Sequence, residues 1–228
     1  MRRLLALLVV CPAAALAFDD PGTYLGAAVR SRPDYDGASE QKLHPIPLVR
    51  YYGPILFART TQGVLEGGAR AELVKGVFAG VQLAFEEENE RTDLDPGASY
   101  GVHMEWDTNV GRVPINLLAR VRFNFDSDNG SQTDLRASVG VYGSERLGVG
   151  VFGQATWGSS DWFRAYYATD GSGLLFTALG VEGIYELGRH WLLIASAHAR
   201  FLQGDAASSP ITEERTNYFA SVGVAYRF

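Results

Sequence analysis

The stretch Thr216–Phe228, TNYFASVGVAYRF, decides the fold of this chain. Its apolar residues recur at every second position, and small or polar residues fill the positions between them, with Phe219 as the exception. Successive side chains of a strand point to opposite faces, so this strand has one apolar face and one polar face. The apolar set ends on Tyr226 and Phe228. This pattern is typical of a strand that closes a membrane β-barrel.

The same alternation recurs along the chain and predicts an all-β fold: a closed antiparallel transmembrane β-barrel of about twelve strands. Gly, Pro and Asn residues mark the predicted strand boundaries. Tight turns alternate with longer polar connections, except at the short link near Gln62, and such alternation is typical of outer-membrane barrels. The predicted strands are about Thr23–Ser31, Pro45–Tyr52, Ile55–Thr61, Val64–Val74, Val77–Glu86, Ser99–Asn109, Val113–Phe125, Thr133–Gly143, Gly148–Gly158, Gly173–Leu187, Trp191–Gln203 and Thr216–Phe228.

The N-terminus predicts a cleavable signal peptide. Arg2 and Arg3 form a basic start, Leu4–Val10 is an apolar run too short to span a bilayer, and Ala15–Ala17 is an A-x-A cleavage site. Cys11 leaves a lipoprotein anchor as an alternative, but a lipobox requires a small residue before the cysteine and a valine stands there. We therefore expect a signal peptide at 1–17 and a barrel domain at 18–228, exported to the outer membrane of a Gram-negative cell.

Composition excludes several classes of function. The one cysteine lies inside the predicted signal peptide, so no disulfide framework or thiolate metal site is expected. The formal net charge of −6 argues against nucleic-acid binding, which needs a basic surface. The 26 glycines favour strands and tight turns over a helical core. We expect no cofactor.

Charged residues on the polar faces of the predicted strands would line the lumen. One interpretation is a selective pore with a charged lining. The other is a set of mutually paired charges that fills a narrow barrel, and we favour it because buried charges are usually paired. The candidate lumen residues are Glu105, Asp107, Arg120, Arg122, Arg136, Glu182, His198 and Arg200.

Three other constellations have a functional and a plainer interpretation. Ser196 and His198, with Glu182, could form a hydrolase triad. Residues two apart on a strand stand about 7 Å apart, which is too far for a direct nucleophile–base hydrogen bond, so we expect no enzyme. His103 with Glu105 and Asp107 could suggest a metal site, but we favour a polar lumen row. The acidic run Glu86–Glu90 could bind divalent cations, and we favour a solvated loop.

A family resemblance lies in the segment GDAASSPI, residues Gly204–Ile211. It resembles the GDA-x-D-SPI motif of the MipA/OmpV family, with Ser208 where the family usually has Asp. The segments Tyr24–Gly26, Pro45–Pro47 and Ala225–Phe228 also fit that family, so the resemblance covers nearly the whole mature chain. The positions that match the loop motif are Gly204, Asp205, Ala206, Ser209, Pro210 and Ile211.

The resemblance implies an outer-membrane barrel, and in one branch of the family a scaffold that binds a lytic transglycosylase and a bifunctional peptidoglycan synthase. We expect a non-catalytic, monomeric barrel in outer-membrane lipid, with a passive channel for small polar solutes as the alternative. No family motif indicates which residues would bind a partner. Four of the five short turns carry a basic residue that could do so, although we favour ordinary surface residues: Lys75, Arg112, Arg146 and Arg189.

Overall fold

The structure is a computed structural model that describes residues 22–85 and 97–228. The predicted signal peptide and the acidic run Glu86–Glu90 lie outside the described residues. The strands are β1 Tyr24–Pro33, β2 Gln41–Tyr52, β3 Leu56–Thr61, β4 Val64–Val74, β5 Val77–Phe85, β6 Ala98–Val110, β7 Val113–Asn124, β8 Ser131–Gly143, β9 Leu147–Gly158, β10 Gly173–Glu186, β11 Trp191–Leu202 and β12 Thr216–Arg227. The helices are α1 Ser160–Tyr167 and α2 Gly204–Ala207, and a 3₁₀ turn spans Ser127–Asn129.

The twelve strands form one closed antiparallel barrel, as the alternation predicts. Each strand pairs with its neighbours in the chain, and β1 closes the sheet by pairing with β12, from Tyr24 opposite Arg227 to Ser31 opposite Ala220. Closure matters because an open sheet edge leaves backbone donors and acceptors unpaired, and hydrocarbon offers them no partner. No helix in the described part of the chain is long and apolar enough to cross a membrane.

The two faces of β12 follow the sequence pattern. Tyr218 and Val222 are exposed on the outside of the barrel, while Asn217, Phe219 and Ala225 are buried inside it. The same division holds around the barrel: in the described strands, no Arg, Lys, Asp or Glu occupies an outward position. Such an apolar outer surface is what a lipid-facing barrel requires.

Aromatic side chains form a belt near each end of this outer surface. Belts of this kind are typical of the two membrane–water interfaces of outer-membrane barrels. The exposed aromatic residues at the end where β1 begins and β12 ends are Tyr51, Trp106, Tyr142, Tyr185, Trp191, Tyr226 and Phe228, and those near the opposite end are Phe85, Tyr100, Phe123, Phe125 and Tyr218.

The connections differ from the prediction in two respects. The predicted loop Arg32–His44 is much shorter, because β1 runs on to Pro33 and β2 begins at Gln41. The predicted loops at 159–172 and 204–215 contain helices α1 and α2. Both helices are shorter than the windows in which helical periodicity is recognisable, and contacts with other loops hold them in place.

The side of β2 that faces β3 is largely unpaired, and it contains two prolines. This strand pairs with β3 only from Arg50 to Tyr52, so its remaining length has a partner on the β1 side alone. The Thr60 hydroxyl accepts a hydrogen bond from the Val49 backbone N–H and donates one to the Pro47 carbonyl, which shows that these odd-numbered positions direct their backbone groups toward β3. Pro45 and Pro47 have no N–H, so they add no unpaired donors to this edge.

The division between the two faces predicts unequal effects of an added charge on β8. Leu135 faces outward and Ser138 faces the lumen. We expect Leu135→Arg to lower the free energy of unfolding by about 2–4 kcal/mol in lipid, the cost of a cation near the bilayer midplane. The matched variant Ser138→Arg should cost clearly less, because its guanidinium enters a polar cavity. Urea-dependent unfolding in lipid vesicles measures both variants, and equal losses would contradict the assignment of the faces.

Candidate functional site: the lumen and the loop cap

The two ends of the barrel are built differently. The start of β1, the last residue Phe228 and five short turns lie at one end, which we call the turn end. The longer connections 34–40, 125–130, 159–172 and 203–215 lie at the other, the loop end, together with the short link of the β3–β4 hairpin. Outer-membrane barrels have short periplasmic turns and longer external loops.

Asp134 is the centre of a buried charge network in the lumen. Its side chain is 1 % exposed. Arg120 Nε lies 2.6 Å from Asp134 Oδ2, and Arg122 Nη2 lies 3.2 Å from the same oxygen. The other oxygen accepts hydrogen bonds from the Thr156 hydroxyl at 2.7 Å and the Gln154 amide at 3.3 Å. The carboxylate is therefore fully paired, which is the condition under which a charge can be buried.

The network continues across the barrel through Glu66 and Glu105. Arg120 also pairs with Glu66, and Arg59 joins Glu66 to Glu105. Arg70 Nη1 lies 3.2 Å from Glu105 Oε2. Arg59 and Glu66 lie opposite each other on the neighbouring strands β3 and β4, whereas the other three pairs connect strands that are not neighbours in the sheet, so they brace the barrel from within.

Gly80 on β5 leaves room for the ion pair between Arg70 of β4 and Glu105 of β6, which crosses β5. A Cβ at this position would overlap the His103 ring, the first side-chain carbon of Arg70 and the Ala69 carbonyl. The His103 ring packs edge-on against Phe57, with the ring centroids 5.1 Å apart. His103 is thus part of the lumen packing beside the network.

A second set of inward residues lies closer to the turn end. Arg136 Nη2 is 3.0 Å from Glu182 Oε2, and the Arg136 guanidinium also stacks on Phe152 at 4.0 Å from the ring centroid. Asp107 accepts a hydrogen bond of 2.7 Å from the Asn116 amide. Asp107 and Glu182 are both exposed to the open part of the lumen.

Ser196, His198 and Glu182, which the sequence offered as a possible hydrolase triad, do not contact one another as a triad would but interact with other residues. The Ser196 hydroxyl shares a hydrogen bond of 2.8 Å with the Ser221 hydroxyl. The His198 ring stacks on Phe219, with the centroids 4.5 Å apart and the planes 5° from parallel. Glu182 lies opposite Ser196 in the sheet and pairs with Arg136. The geometry gives Ser196 no triad arrangement.

The family-motif segment forms helix α2 and the turn that follows it. Ala206 is completely buried and packs with Phe163 and Tyr167 of α1. The Ser209 hydroxyl donates to the Tyr167 carbonyl and accepts from the Ile211 N–H. Asp205 and Pro210 are exposed, Gly204 has a positive φ of 50°, and the Ser208 hydroxyl donates to the Gly204 carbonyl at 2.8 Å. The motif thus holds two loops together.

The first loop joins the same assembly, which we call the loop cap (34–40, 159–172 and 203–215). The Tyr35 hydroxyl donates to the Ile211 carbonyl at 3.0 Å, and the Gly37 N–H donates to the Asn217 side chain at 2.7 Å. Asp36 pairs with Arg200 of the barrel wall, which stacks on Phe176 and Phe219. Burial raises the pKa of the Tyr167 phenol well above its usual value, and the nearby Asp36 carboxylate adds to this effect.

The tip of the β3–β4 hairpin lies inside the barrel. Gln62 and Gly63 have φ values of 50° and 88°, as a tight hairpin turn requires. A side chain at Gly63 would collide with the Arg30 guanidinium of β1. Thr61 and Gln62 line both a cavity of about 90 Å³ under the loop cap and one of about 400 Å³ toward the turn end. The tip therefore lies between the two cavities.

Sequence reasoning missed several members of this site. Asp134 is two residues from Arg136 on β8, and Arg59 is two residues from Phe57 on β3, so each pair faces the same side of its strand. Alternation alone could therefore have identified Asp134 and Arg59 as lumen residues. Asp36 lies in a connection, where no periodicity indicates its direction. Which arginine meets which carboxylate depends on contacts between distant strands, and a single sequence gives no signal for that.

The Asp134 network predicts a large difference between two acidic residues. Asp134→Asn leaves Arg120 and Arg122 short of a buried counter-charge, and we expect a loss of about 3–5 kcal/mol in the free energy of unfolding. The matched variant Asp170→Asn removes a carboxylate that is 92 % exposed and pairs with Arg164, and should cost about 0–1 kcal/mol. Unfolding in detergent, followed by circular dichroism, gives both values. Similar losses would show that the network does not stabilise the barrel.

Comparison with solved structures includes one whose fold agrees with this architecture. The NanC porin superposes with a TM-score of 0.59 at 11% identity, over 90% of this chain and 100% of that chain. An outer membrane channel from Pseudomonas putida F1 gives 0.45 at 13% identity, over 94% and 97%. At such identities the likeness to the NanC porin shows the fold alone. No curated protein matches the chain in sequence.

The family model described as "MltA-interacting protein MipA" matches residues 25–228, nearly the whole chain. The match and the fold agree with the resemblance of the GDAASSPI segment. The chain is therefore an outer-membrane β-barrel protein that belongs to the MipA family.

Proposed function

We propose that this protein is a non-catalytic, non-conducting barrel that serves as a scaffold for peptidoglycan-remodelling enzymes, namely a lytic transglycosylase and a bifunctional peptidoglycan synthase. A signal peptide at 1–17 would deliver it to the outer membrane as a monomer. The family description supports the first partner, because it refers to interaction with MltA. The observation that carries the proposal is the contrast between a loop end closed by interlocked loops and a turn end that presents exposed cations.

The lumen supports a role other than transport. Buried ion pairs cross the barrel at mid-height, and the hairpin tip and the loop cap occupy the space toward the loop end. Moving a solute through this layer requires separating buried charge pairs, which is costly. A barrel filled in this way fits a structural role for its wall and an interaction role for its ends.

The turn end carries the charge that suits a partner. Its five turns contain four exposed cations, Lys75, Arg112, Arg146 and Arg189, and one exposed acid, Glu145. Within the described residues, none of these cations forms an ion pair. The described connections of the loop end contain ten carboxylates and two arginines: Asp34, Asp36, Glu40, Asp126, Asp128, Asp161, Asp170, Asp205, Glu213, Glu214, Arg164 and Arg215. An acidic surface would be attracted to the turn end and repelled by the loop end.

Charge reversal at the turn end tests the scaffold. We expect the combined variant Lys75→Glu, Arg112→Glu, Arg146→Glu and Arg189→Glu to bind a purified lytic transglycosylase at least about tenfold more weakly, mainly through a slower association rate. Surface plasmon resonance at two salt concentrations measures this rate.

The control reverses two arginines at the loop end, Arg164→Glu and Arg215→Glu, and should bind as the wild type does. Equal affinity of all three proteins would exclude the turn end as the contact surface. Failure of the wild-type barrel to bind either the transglycosylase or the synthase would exclude the scaffold role.

Conductance separates the scaffold from the passive channel. We expect the purified barrel in planar bilayers to give no steady openings, because the paired charges and the hairpin tip obstruct the lumen. A porin inserted under the same conditions serves as the control for reconstitution. Steady openings of wild-type protein, reduced when Gln62→Trp fills the narrow region, would instead establish a channel.

A further inference from the structure

We propose that the cavity of the turn end, bounded inward by Thr61 and Gln62, binds a small zwitterion: an amino acid or a short peptide with a free ammonium and a free carboxylate. We call this cavity the cup. Its volume of about 400 Å³ lies in the range of small-molecule pockets, roughly 300–1,000 Å³. The cup is separate from the exposed cations of the turns, so its ligand does not depend on a protein partner.

One side of the cup presents arginines held in position by aromatic rings. Arg50 and Arg70 both stack on Tyr52, with their guanidinium carbons 4.8 Å and 4.2 Å from the ring centroid. Arg70 also lies 4.3 Å from the centroid of Phe78. Arg50 Nη1 donates to the Gly22 carbonyl at 3.1 Å, and Arg70 Nη1 lies 3.2 Å from Glu105 Oε2. Because a guanidinium group has five N–H donors, a stacked group with one donor engaged can still add a hydrogen bond to a ligand carboxylate. This side of the cup fits the carboxylate of a ligand.

Two donors at the inner end of the cup add to this preference. Arg59 Nη2 and Gln62 Nε2 are buried and have no hydrogen-bond partner in the part of the chain that the structure describes. Both residues line the cup. A buried donor without a partner costs about 1–3 kcal/mol, and a small movement toward a ligand oxygen would recover part of that cost. The inner end therefore favours an acceptor.

The other side of the cup presents carboxylates. Glu182 on β10 has a side chain that is 48 % exposed, although one oxygen pairs with Arg136. Asp107 on β6 is exposed and is bonded to the Asn116 amide. Both carboxylates have acceptor capacity left for an ammonium group, because each oxygen has two lone pairs.

The balance of charge selects the ligand class. The cup is lined by four arginines and three carboxylates: Arg50, Arg59, Arg70, Arg136, Glu105, Asp107 and Glu182. An excess of cations would favour a simple anion, but here Arg59 and Arg70 share Glu105 and Arg136 pairs with Glu182. The exposed carboxylates of Asp107 on β6 and Glu182 on β10 keep acceptor capacity for a cation. A ligand with both charges can satisfy both sides at once, whereas acetate or ethylammonium satisfies one.

Isothermal titration calorimetry on the purified barrel in detergent tests the cup with three probes: glycylglycine, acetate and ethylammonium. We expect glycylglycine to bind at least about tenfold more tightly than either singly charged probe, a difference of about 1.4 kcal/mol. Binding of no probe, or equal affinity for all three, would overturn the proposal.

Two variants show which side of the cup binds which group. Glu182→Gln should weaken glycylglycine and ethylammonium without weakening acetate, and Arg50→Gln should weaken glycylglycine and acetate without weakening ethylammonium. Glu145→Gln, an exposed carboxylate in a turn of the same end, is the matched control and should leave all three affinities unchanged. Circular dichroism establishes that each variant is folded. Unchanged binding of glycylglycine by both cup variants would overturn the assignment, whether or not a protein partner binds the turns.

Discussion

The closed hydrogen-bonded wall is the constraint on which the rest of this structure depends. Pairing of β1 with β12 closes the sheet, and the strict alternation of side chains then assigns every outward position to lipid. Charged residues can only face inward. The lumen must therefore accommodate them in a narrow space, and the ion pairs of Asp134, Glu66 and Glu105 are the consequence.

Aromatic rings complement these ion pairs. The guanidinium groups of Arg136 and Arg200 pair with Glu182 and Asp36, respectively. They also lie against ring faces, Phe152 for the first and Phe176 and Phe219 for the second. A ring face attracts a cation without adding a negative charge that would itself need a partner. Arginine is suited to this environment because its planar group can stack and pair at the same time. Around these two arginines the lumen is thus both charged and packed with aromatic rings.

Sequence alone predicts the wall of this barrel better than its contents. Alternation identifies twelve strands and the direction of residues such as Arg120 and Arg122, because direction in a strand depends only on parity. Contacts such as Arg59 with Glu105, from β3 to β6, depend on strand tilt and barrel width. The helix α1 also escapes prediction, because it is eight residues long and is held by Ala206 and Leu202 from distant parts of the chain. The pattern of neighbouring residues predicts local structure, whereas the site consists of contacts between residues that are distant in the sequence, and these cannot be predicted from that pattern.

The β3–β4 hairpin shows how one local feature gives the two ends different roles. Its link of two residues, Gln62 and Gly63, is too short to reach the loop cap from outside, and its tip instead lies against Arg30 within the barrel. That position divides the lumen into a small cavity under the cap and a larger one open toward the turn end. The larger cavity and the exposed cations consequently face the same side of the membrane. In an outer-membrane barrel the short turns face the periplasm, so the side that contains the cell wall is the side on which this protein has groups available for binding.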